Sequence, residues 1–312
     1  MTHDGTSLSS TTIPTEAARG PEVGLQNIAS VAEQAVEASG VDWERIIAVG
    51  LATPGTMDIP AGLLVEPPNL PGWEHLPIRD LVARRFDRKT ILQNDGNAAA
   101  YGEYWIGAGR DADSLVMYTL GTGVGGGIII ADMIIQGEHS HGSECGHVIL
   151  EIEGGRLCSS GQYGTLEAYS SATALVQRCH ESMDQYPSSL LHEYLSSEGT
   201  MTPVLIGRAA EAGDEFAEWL IMETARYLGI GMTSVMHTLN PSLFLIGGAM
   251  TFGREGTALG RRFLQRVRDE VAAKGFPVPV ANTRIEFATL GGSAGYIGAA
   301  GCARRHLLKY GR

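Results

Sequence analysis

An aspartate stands where an apolar run of the chain gives way to small residues. In "KTILQND" and the following "GNAAAYGE", Asp95 ends a predicted strand and begins a predicted Ala-rich helix. Asp is a frequent N-cap because its carboxylate accepts backbone N–H groups of the first turn. The same position is where α/β proteins bind ligands, so a general base is an equally good interpretation. Asn94 and Asn97 flank Asp95 with amide groups suited to hydroxyls, and both interpretations remain open.

The glycine-rich stretch "LGTGVGGG", residues 120–127, is a second candidate for chemistry. Gly121, Gly123 and Gly126 match the spacing G-x-G-x-x-G, but a dinucleotide fold needs a helix directly after that motif. Here the β-branched run "IIIADMII" follows, which predicts a β-hairpin. A tight turn alone needs fewer glycines than this stretch contains. The surplus favours a turn whose backbone N–H groups, with the Thr122 hydroxyl, bind phosphate.

Carboxylates and an imidazole follow the glycines. Glu144 and His147 are three residues apart in "HGSECGHV", and Glu167 lies further along the chain. Such groups can together bind a polyhydroxylated ligand, because they offer both hydrogen-bond donors and acceptors. Surface charge and an ordinary histidine explain the same spacing, and on spacing alone that explanation is preferred.

The elements that would position these groups alternate between strand and helix. Residues 21–40 predict a helix that starts with Pro21 and stops at Gly40. Further helices are predicted over 166–182 and 214–239, whereas 183–203 is interpreted as a surface connection. The predicted strands are "RIIAVGLATPG", "KTILQND", "SLVMYTL", "IIIADMIIQG", "SLFLIGGAM" and "IEFATLGG". This alternation predicts an α/β fold.

Composition narrows the class of protein. The 312 residues are enough for two domains, and the net charge of -12 disfavours binding to nucleic acid or to an anionic membrane. The four cysteines have no regular spacing, which favours a reducing compartment over a disulfide framework. Neither a signal peptide nor an apolar run of about 20 residues is found, so the sequence predicts a cytoplasmic protein.

Together these segments resemble the ROK family (repressors, open reading frames and sugar kinases), and within it the glucokinases. The resemblance covers nearly the whole chain, and several motifs in the family's order are far more specific than any one alone. The segments that carry it are "ATPGTMD", "PPNLPGW", "LQNDGNAAAYGE", "LGTGVGGGIII", "GSECGHV…CSSGQYGTLEAYSSA" and "FLIGGAM".

The resemblance implies an actin-like ATPase fold (ribonuclease H-like), in which two α/β lobes enclose a cleft. The small lobe would comprise residues 1–110, joined by a C-terminal helix over 294–312, and the large lobe would comprise 111–293 with the nucleotide and sugar motifs. A homodimer that acts in glycolysis is implied as well.

The resemblance also implies a role for individual residues. Asp95 would accept the proton of the sugar 6-hydroxyl, and an ordinary aspartate, with a pKa near ~3.9, is ionised and able to do so. The sugar would bind through Asn69, Asn94, Glu144, His147 and Glu167. ATP phosphates would bind at Gly121, Thr122 and Gly123, and adenosine at Gly247 and Gly248. Mg²⁺ would accompany ATP and neutralise its phosphates.

Two departures from the family pattern affect these expectations. The first concerns the signature GxxxExGH…CxCGxxGCxE, in which one histidine and three cysteines hold a tetrahedral zinc. His147 and Cys158 remain, whereas Ser160 and Thr165 occupy the other two positions. We therefore expect no zinc, and a loop held by packing and hydrogen bonds instead.

The second departure is at the start of the chain. Family kinases begin with a strand and a DxGGT turn that binds phosphate, whereas "MTHDGTSLSSTTIPT" resembles the segment after that turn. Asp4, Gly5 and Thr6 are only a superficial echo of it. The sequence as given therefore predicts a small lobe truncated at its N-terminus and a weakened phosphate site, and a misassigned start explains the pattern as well as a genuine truncation does.

The leading functional prediction is ATP-dependent phosphorylation of glucose at its 6-hydroxyl. The close alternative is a kinase for another hexose or an N-acetylhexosamine. A sugar-binding regulator with impaired catalysis is a different class, which the missing turn favours and the intact Asp95 opposes. A transcriptional repressor is disfavoured because the sequence shows no helix-turn-helix ahead of the sugar motifs and is acidic.

Overall fold

The computed structural model describes residues 1–67 and 70–311. Its helices are α1 (Pro21–Ser39), α2 (Ile78–Phe86), α3 (Asp95–Ile106), α4 (Glu167–Ser170), α5 (Ala172–Ser182), α6 (Leu191–Glu198), α7 (Pro203–Glu211), α8 (Glu215–Leu239), α9 (Ala258–Lys274), α10 (Pro277–Asn282) and α11 (Ala294–Tyr310). Its strands are β1 (Ala48–Thr53), β2 (Thr56–Asp58), β3 (Leu63–Glu66), β4 (Lys89–Asn94), β5 (Ser114–Leu120), β6 (Val124–Ile130), β7 (Met133–Ile134), β8 (Leu243–Gly248) and β9 (Arg284–Phe287). The predicted α/β class is confirmed. Within these described ranges, no helix combines the length and apolar character needed to cross a membrane.

Capping signals in the sequence set the ends of two long helices. Pro21 is the first residue of α1, and Gly40 ends it in the left-handed region with a φ of 67°. The Asp214 carboxylate caps α8, and Asn240, also left-handed, ends it. The predicted helices at 21–40 and 214–239 are therefore confirmed.

Two other predicted segments are wrong in detail. The helix predicted over 166–182 is divided at Ser171, whose extended backbone separates α4 from α5. The stretch 183–203, interpreted as a connection, contains α6, which packs with Leu191 fully buried.

The larger sheet has the strand order β7-β6-β5-β8-β9. β5, β8 and β9 are parallel, and β6 returns antiparallel to β5 through a hairpin in which Leu120 faces Val124. The main core lies on this sheet and includes Tyr118, Phe244 and Phe263, all fully buried. Because β5 and β8 are parallel, their carboxyl ends lie at the same edge of the sheet. The glycines that follow β5, Gly121 and Gly123, therefore lie at the same edge as Gly247 and Gly248, which end β8.

A smaller parallel pair, β1 and β4, aligns Thr53 with Asn94. A separate cluster of buried residues, including Leu64, Trp73 and Phe86, forms the core beneath it. β4 runs directly into α3, so the carboxyl end of this pair carries Asn94 and Asp95.

Helix α3 meets α11 backbone to backbone. A Cβ atom added at Gly298 would lie 1.6 Å from the carbonyl oxygen of Ala98, and one added at Gly102 would lie 2.6 Å from that of Ala294. α11 packs on β1 as well. These contacts describe where the C-terminal helix lies, whereas the division of the chain at residues 110 and 111 remains a prediction.

The segment Asp4–Gly5–Thr6, which matches the DxGGT turn only superficially, lies away from Asp95. Thr2 and Thr6 close a turn around Gly5, whose φ is 90°. A Cβ at Gly5 would clash with Ile106, the last residue of α3. This turn therefore packs at the opposite end of α3 from Asp95, as expected for a superficial echo.

Candidate active site

Asn94 is the residue that caps α3. Its Oδ1 atom accepts the N–H groups of Gly96, at 2.9 Å, and of Asn97, at 3.1 Å. It thus satisfies two donors that have no partner inside the helix. The N-cap role considered for Asp95 is held by its neighbour, and the Nδ2 group is the part of the Asn94 amide that can donate to a ligand.

Asp95 is the first residue of α3, and its carboxylate accepts the Gly96 N–H at 2.8 Å. Although the side chain reaches solvent, protein atoms surround much of it. The resulting desolvation is the main cause that raises its pKa above the ordinary 3.8, and the charge of Glu144 acts in the same direction. The N–H of Gly96 opposes both. An accessible carboxylate with a raised pKa is a better proton acceptor than an ordinary aspartate.

Glycines of β6 allow α3 to lie directly on the hairpin. A Cβ at Gly127 would lie 2.6 Å from the Ala100 side chain, and one at Gly96 would lie 2.6 Å from the carbonyl oxygen of Gly126. Any larger residue would separate helix and strand. This contact holds the helix that begins with Asp95 against the glycine-rich hairpin.

The hairpin itself is confirmed, but its turn is shorter than predicted. β6 begins at Val124 rather than at Ile128, so Gly125 and the next two glycines lie inside the strand. Gly121 and Gly123 lie outside the left-handed region, so a positive φ is not the reason for either.

A second pair of glycines lies next to this turn. Gly247 pairs with Thr119 and Gly248 with Leu120, at the end of β8. A Cβ at Gly248 would lie 2.2 Å from the Leu120 carbonyl oxygen, and its φ is 89°, so glycine alone fits. The two stretches predicted to bind nucleotide are thus adjacent in space, and their contact with a nucleotide stays a prediction.

Glu167 is buried, and both of its carboxylate oxygens accept hydrogen bonds. Oε2 accepts the N–H of Val124 at 3.0 Å, and Oε1 accepts the Ser159 hydroxyl at 2.5 Å. A Cβ at Gly123 would lie 2.3 Å from Oε2. Gly123 is therefore required because this carboxylate lies directly against the turn.

Glu144 and His147 lie close enough to form an ion pair when the imidazole is protonated. Nδ1 of His147 lies 3.4 Å from a carboxylate oxygen of Glu144, without the alignment of a hydrogen bond. Glu144 is the main cause that raises the pKa of His147, burial opposes it, and the charge of Glu167 adds to the rise. Glu144, His147 and Glu167, whose spacing in the sequence did not show that they interact, therefore influence one another electrostatically.

The sequence does not predict two further residues of the site. Ser159, which donates to Glu167, and Thr173, which contacts the glycine turn, carry no pattern of their own, because both act across the fold. The predicted sugar contact Asn69 lies outside the described residues. No observation tests the assigned roles of the remaining site residues, which stay predictions.

An accessible carboxylate at the start of a helix that packs on a glycine-rich hairpin is the arrangement expected of an α/β phosphotransferase. The chain belongs to the ROK family, whose model matches residues 1–306. The predicted resemblance to this family is therefore confirmed.

Relatives of this chain include both kinases and repressors. The glucokinase of Thermotoga maritima is 33% identical, over 98% of this chain and 93% of the relative. A ROK family glucokinase from Streptomyces griseus, crystallised in complex with glucose and AMPPNP, has a TM-score of 0.78 and 31% identity, over 97% of this chain and 93% of that one. The xylose repressor of Caldicellulosiruptor bescii is 27% identical, over 92% of this chain and 69% of the relative. The structural similarity confirms the expected actin-like fold.

The loop at the family zinc position is linked by a hydroxyl. Ser160 Oγ lies 2.9 Å from Nε2 of His147 and 2.9 Å from Sγ of Cys158. Ligand atoms of His147, Cys158 and Glu167 lie within 4.8 Å of one another. However, the Glu167 oxygens already accept hydrogen bonds, and Ser160 and Thr165 stand where thiolates would complete a tetrahedral set. These residues do not fit a structural zinc site of four ligands.

Proposed function

We propose that this chain is a sugar kinase that transfers the γ-phosphoryl group of MgATP to the 6-hydroxyl of glucose. The observation that carries the proposal is the position of Asp95, free of the capping role and at the start of a helix packed on the glycine hairpin. The relatives named as glucokinases support the same reaction.

In this mechanism Asp95 accepts the proton of the sugar 6-hydroxyl as its oxygen attacks the γ-phosphorus and the bond to the β-phosphate oxygen breaks. The raised pKa of Asp95 suits this role, because a base accepts a proton more readily as its pKa approaches the working pH. The Gly121 N–H already donates to the Gly123 carbonyl at 3.0 Å, so the N–H groups of Thr122 and Gly123 are the ones assigned to stabilise charge on the phosphates. Gly247 and Gly248 flank the adenosine.

The sugar contacts are assigned to the acidic and imidazole cluster. We assign Asn94 Nδ2 as a hydrogen-bond donor to the sugar and the Glu144 carboxylate as an acceptor of hydrogen bonds from sugar hydroxyls. His147 Nδ1 is buried against Glu144, so His147 would donate through Nε2, in place of its contact with the Ser160 hydroxyl. Glu167, whose two oxygens each already accept one hydrogen bond, would offer its remaining lone pairs to the sugar. These assignments, with Asn69, complete the proposed sugar site.

Phosphorylation of individual sugars tests the proposal. Purified protein is incubated with ATP and glucose, fructose, N-acetylglucosamine or N-acetylmannosamine, and ADP release is measured. We expect the highest kcat/KM with glucose. A higher kcat/KM with another of these sugars would replace glucose as the substrate but keep the kinase, whereas no turnover with any of them would overturn it.

A sugar-binding regulator is the second candidate, and the xylose repressor among the relatives is the observation that favours it. Calorimetry with glucose and with xylose separates the two candidates. Sugar binding without any ADP release from wild-type protein, in the presence of ATP, would support the regulator.

The cellular setting is part of the proposal. The four cysteines are free thiols, all buried, which supports a reducing compartment such as the cytoplasm. Use of ATP and glucose supports a role in glycolysis. The homodimer stays a prediction, which light scattering at micromolar concentration tests.

A further inference from the structure

The segment from Glu167 to Thr173 holds the glycine turn at three points. Glu167 Oε2 accepts the Val124 N–H at 3.0 Å, the Ala172 N–H donates to the Gly121 carbonyl at 2.9 Å, and Thr173 Oγ1 donates to the Thr122 carbonyl at 2.8 Å. We call this set of three hydrogen bonds the clasp. Glu167, which accepts the first of these hydrogen bonds, is a proposed sugar ligand, and the turn that the clasp holds is the proposed phosphate site.

The break between α4 and α5 makes the clasp possible. Ser171 is extended and caps α5 by accepting the Ala174 N–H, so Ala172 and Thr173 are the first two residues of that helix. N–H groups in a first turn have no partner inside their own helix. The Ala172 N–H is therefore available to the turn, and the Thr173 hydroxyl lies beside it.

Hydrogen bonds, more than packing, fix the turn at this point. A recess of about 180 Å³ lies beside the clasp and is lined by Ser159, Glu167, Ser171 and Thr173 among others. Thr173 is exposed, and so is Thr122. Because few atoms press on the turn here, loss of one hydrogen bond should allow it to move.

We propose that Thr173 is a positioning residue that holds the phosphate-binding turn in register with the sugar-binding carboxylate of Glu167, so that sugar and nucleotide bind cooperatively. The inference rests on the proposed function for the identity of the two ligands. A sugar that fixes the Glu167 carboxylate also fixes the Val124 N–H, and Thr173 fixes the other side of the same turn. Coupling of this kind is reciprocal, since each ligand must strengthen the other by the same factor.

The test is the variant Thr173→Val, which removes the hydroxyl and keeps the shape. Glucose affinity is measured by calorimetry with and without a non-hydrolysable ATP analogue, together with the analogue's own affinity. We expect glucose alone to bind as in wild type, and the analogue to bind about three- to tenfold more weakly, as for one lost hydrogen bond. The factor by which the analogue tightens glucose binding should fall, and the KM for ATP should rise more than kcat falls.

Two further variants separate positioning from general damage. Thr173→Ser keeps the hydroxyl and should restore wild-type affinities. Thr238→Val removes another exposed threonine hydroxyl that donates to a backbone carbonyl, that of Ser234 at 2.9 Å on α8, and should change nothing. If Thr173→Ser behaved like Thr173→Val, lost packing would be the cause and the proposal would be overturned.

The outcomes also distinguish this inference from the proposed function. Suppose that Thr173→Val binds the analogue more weakly than the wild type does, and that the wild type phosphorylates no sugar. The clasp would then be supported and the kinase function rejected. Equal analogue affinity and equal coupling in wild type and Thr173→Val would reject the clasp, even if the wild type is an active glucose kinase.

Discussion

The amide oxygen of Asn94 caps the helix that Asp95 begins, so adjacent residues divide two tasks between them. Asn94 satisfies backbone donors of α3, and the stability of the junction depends on it. Asp95 accepts the adjacent Gly96 N–H through Oδ1, which leaves Oδ2 available to the proposed substrate. Substitutions at the two positions should therefore have different signatures.

Asp95→Asn should abolish most kinase activity and leave the fold intact. An amide of the same shape cannot accept the hydroxyl proton, and loss of a general base costs about 10²–10⁴-fold in rate. The unfolding free energy should not fall, because the cap is on Asn94 and a partly desolvated charge has been removed. Initial rates and thermal unfolding check both statements, and full turnover by the variant would exclude Asp95 as the base.

Asn94→Ala should destabilise the protein by about 1 kcal/mol, the usual contribution of an N-cap side chain. Thr257→Ala is the matched control, because Thr257 caps α9 by accepting the Gly260 N–H at 2.9 Å. Urea unfolding should show similar losses for both variants, whereas only Asn94→Ala should also raise the KM for glucose. A change in KM without a loss of stability would contradict the capping role.

The pH dependence of kcat/KM for glucose should have an acidic limb above pH 3.8, the ordinary aspartate pKa, because this ratio reports groups of the free protein. Desolvation and the charge of Glu144 favour the protonated form of Asp95, so the active, ionised base is lost at a higher pH than usual as the pH falls. Glu144→Gln removes one of these two causes and should shift the limb to lower pH. Initial rates at sugar concentrations well below KM, with saturating ATP, measure the shift.

Glu138→Gln serves as the control for this pH profile, because Glu138 is an exposed carboxylate in the same loop. It should leave the acidic limb unchanged. An equal shift in both variants would mean that the overall charge of the protein, and not the neighbouring Glu144, governs the titration of Asp95.

Restoring two cysteines should create a zinc site. In the double variant Ser160→Cys, Thr165→Cys, two new thiolates would join His147 and Cys158 in a four-ligand set suited to tetrahedral zinc. Metal analysis should find about one zinc per chain in the variant and much less in wild type, with a higher melting temperature for the zinc-loaded variant. Tightly held zinc in the wild type would show that the hydroxyl bridge of Ser160 is not the native state of this loop.

Local signals in the sequence were sufficient for some of this architecture. Pro21 and Gly40 bound α1 because their backbone preferences operate without help from the rest of the chain. The β-branched run after the glycines correctly predicted a hairpin. Asp95 was correctly placed between strand and helix, but its role was ambiguous because Asn94 can cap equally well.

The remainder depends on contacts between distant parts of the chain. The glycines at 125–127 were interpreted as turn because their reason for being small lies in α3, which packs on them. Ser171 interrupts a stretch with helical character, and no local pattern marks the break. The clasp joins residues 43 to 51 positions apart, so a search for motifs would not find it.

The close contact between α3 and α11 has a consequence for experiments on motion. Two helices whose backbones touch at Gly298 and Ala98 cannot slide or tilt independently, because no flexible side chains lie between them at that point. α3 and α11 should therefore move as one rigid unit. Leu308, exposed near the end of α11, is then a suitable attachment point for a fluorescent or spin label. Such a label would report the displacement of the helix that carries Asp95 without any modification inside the cleft.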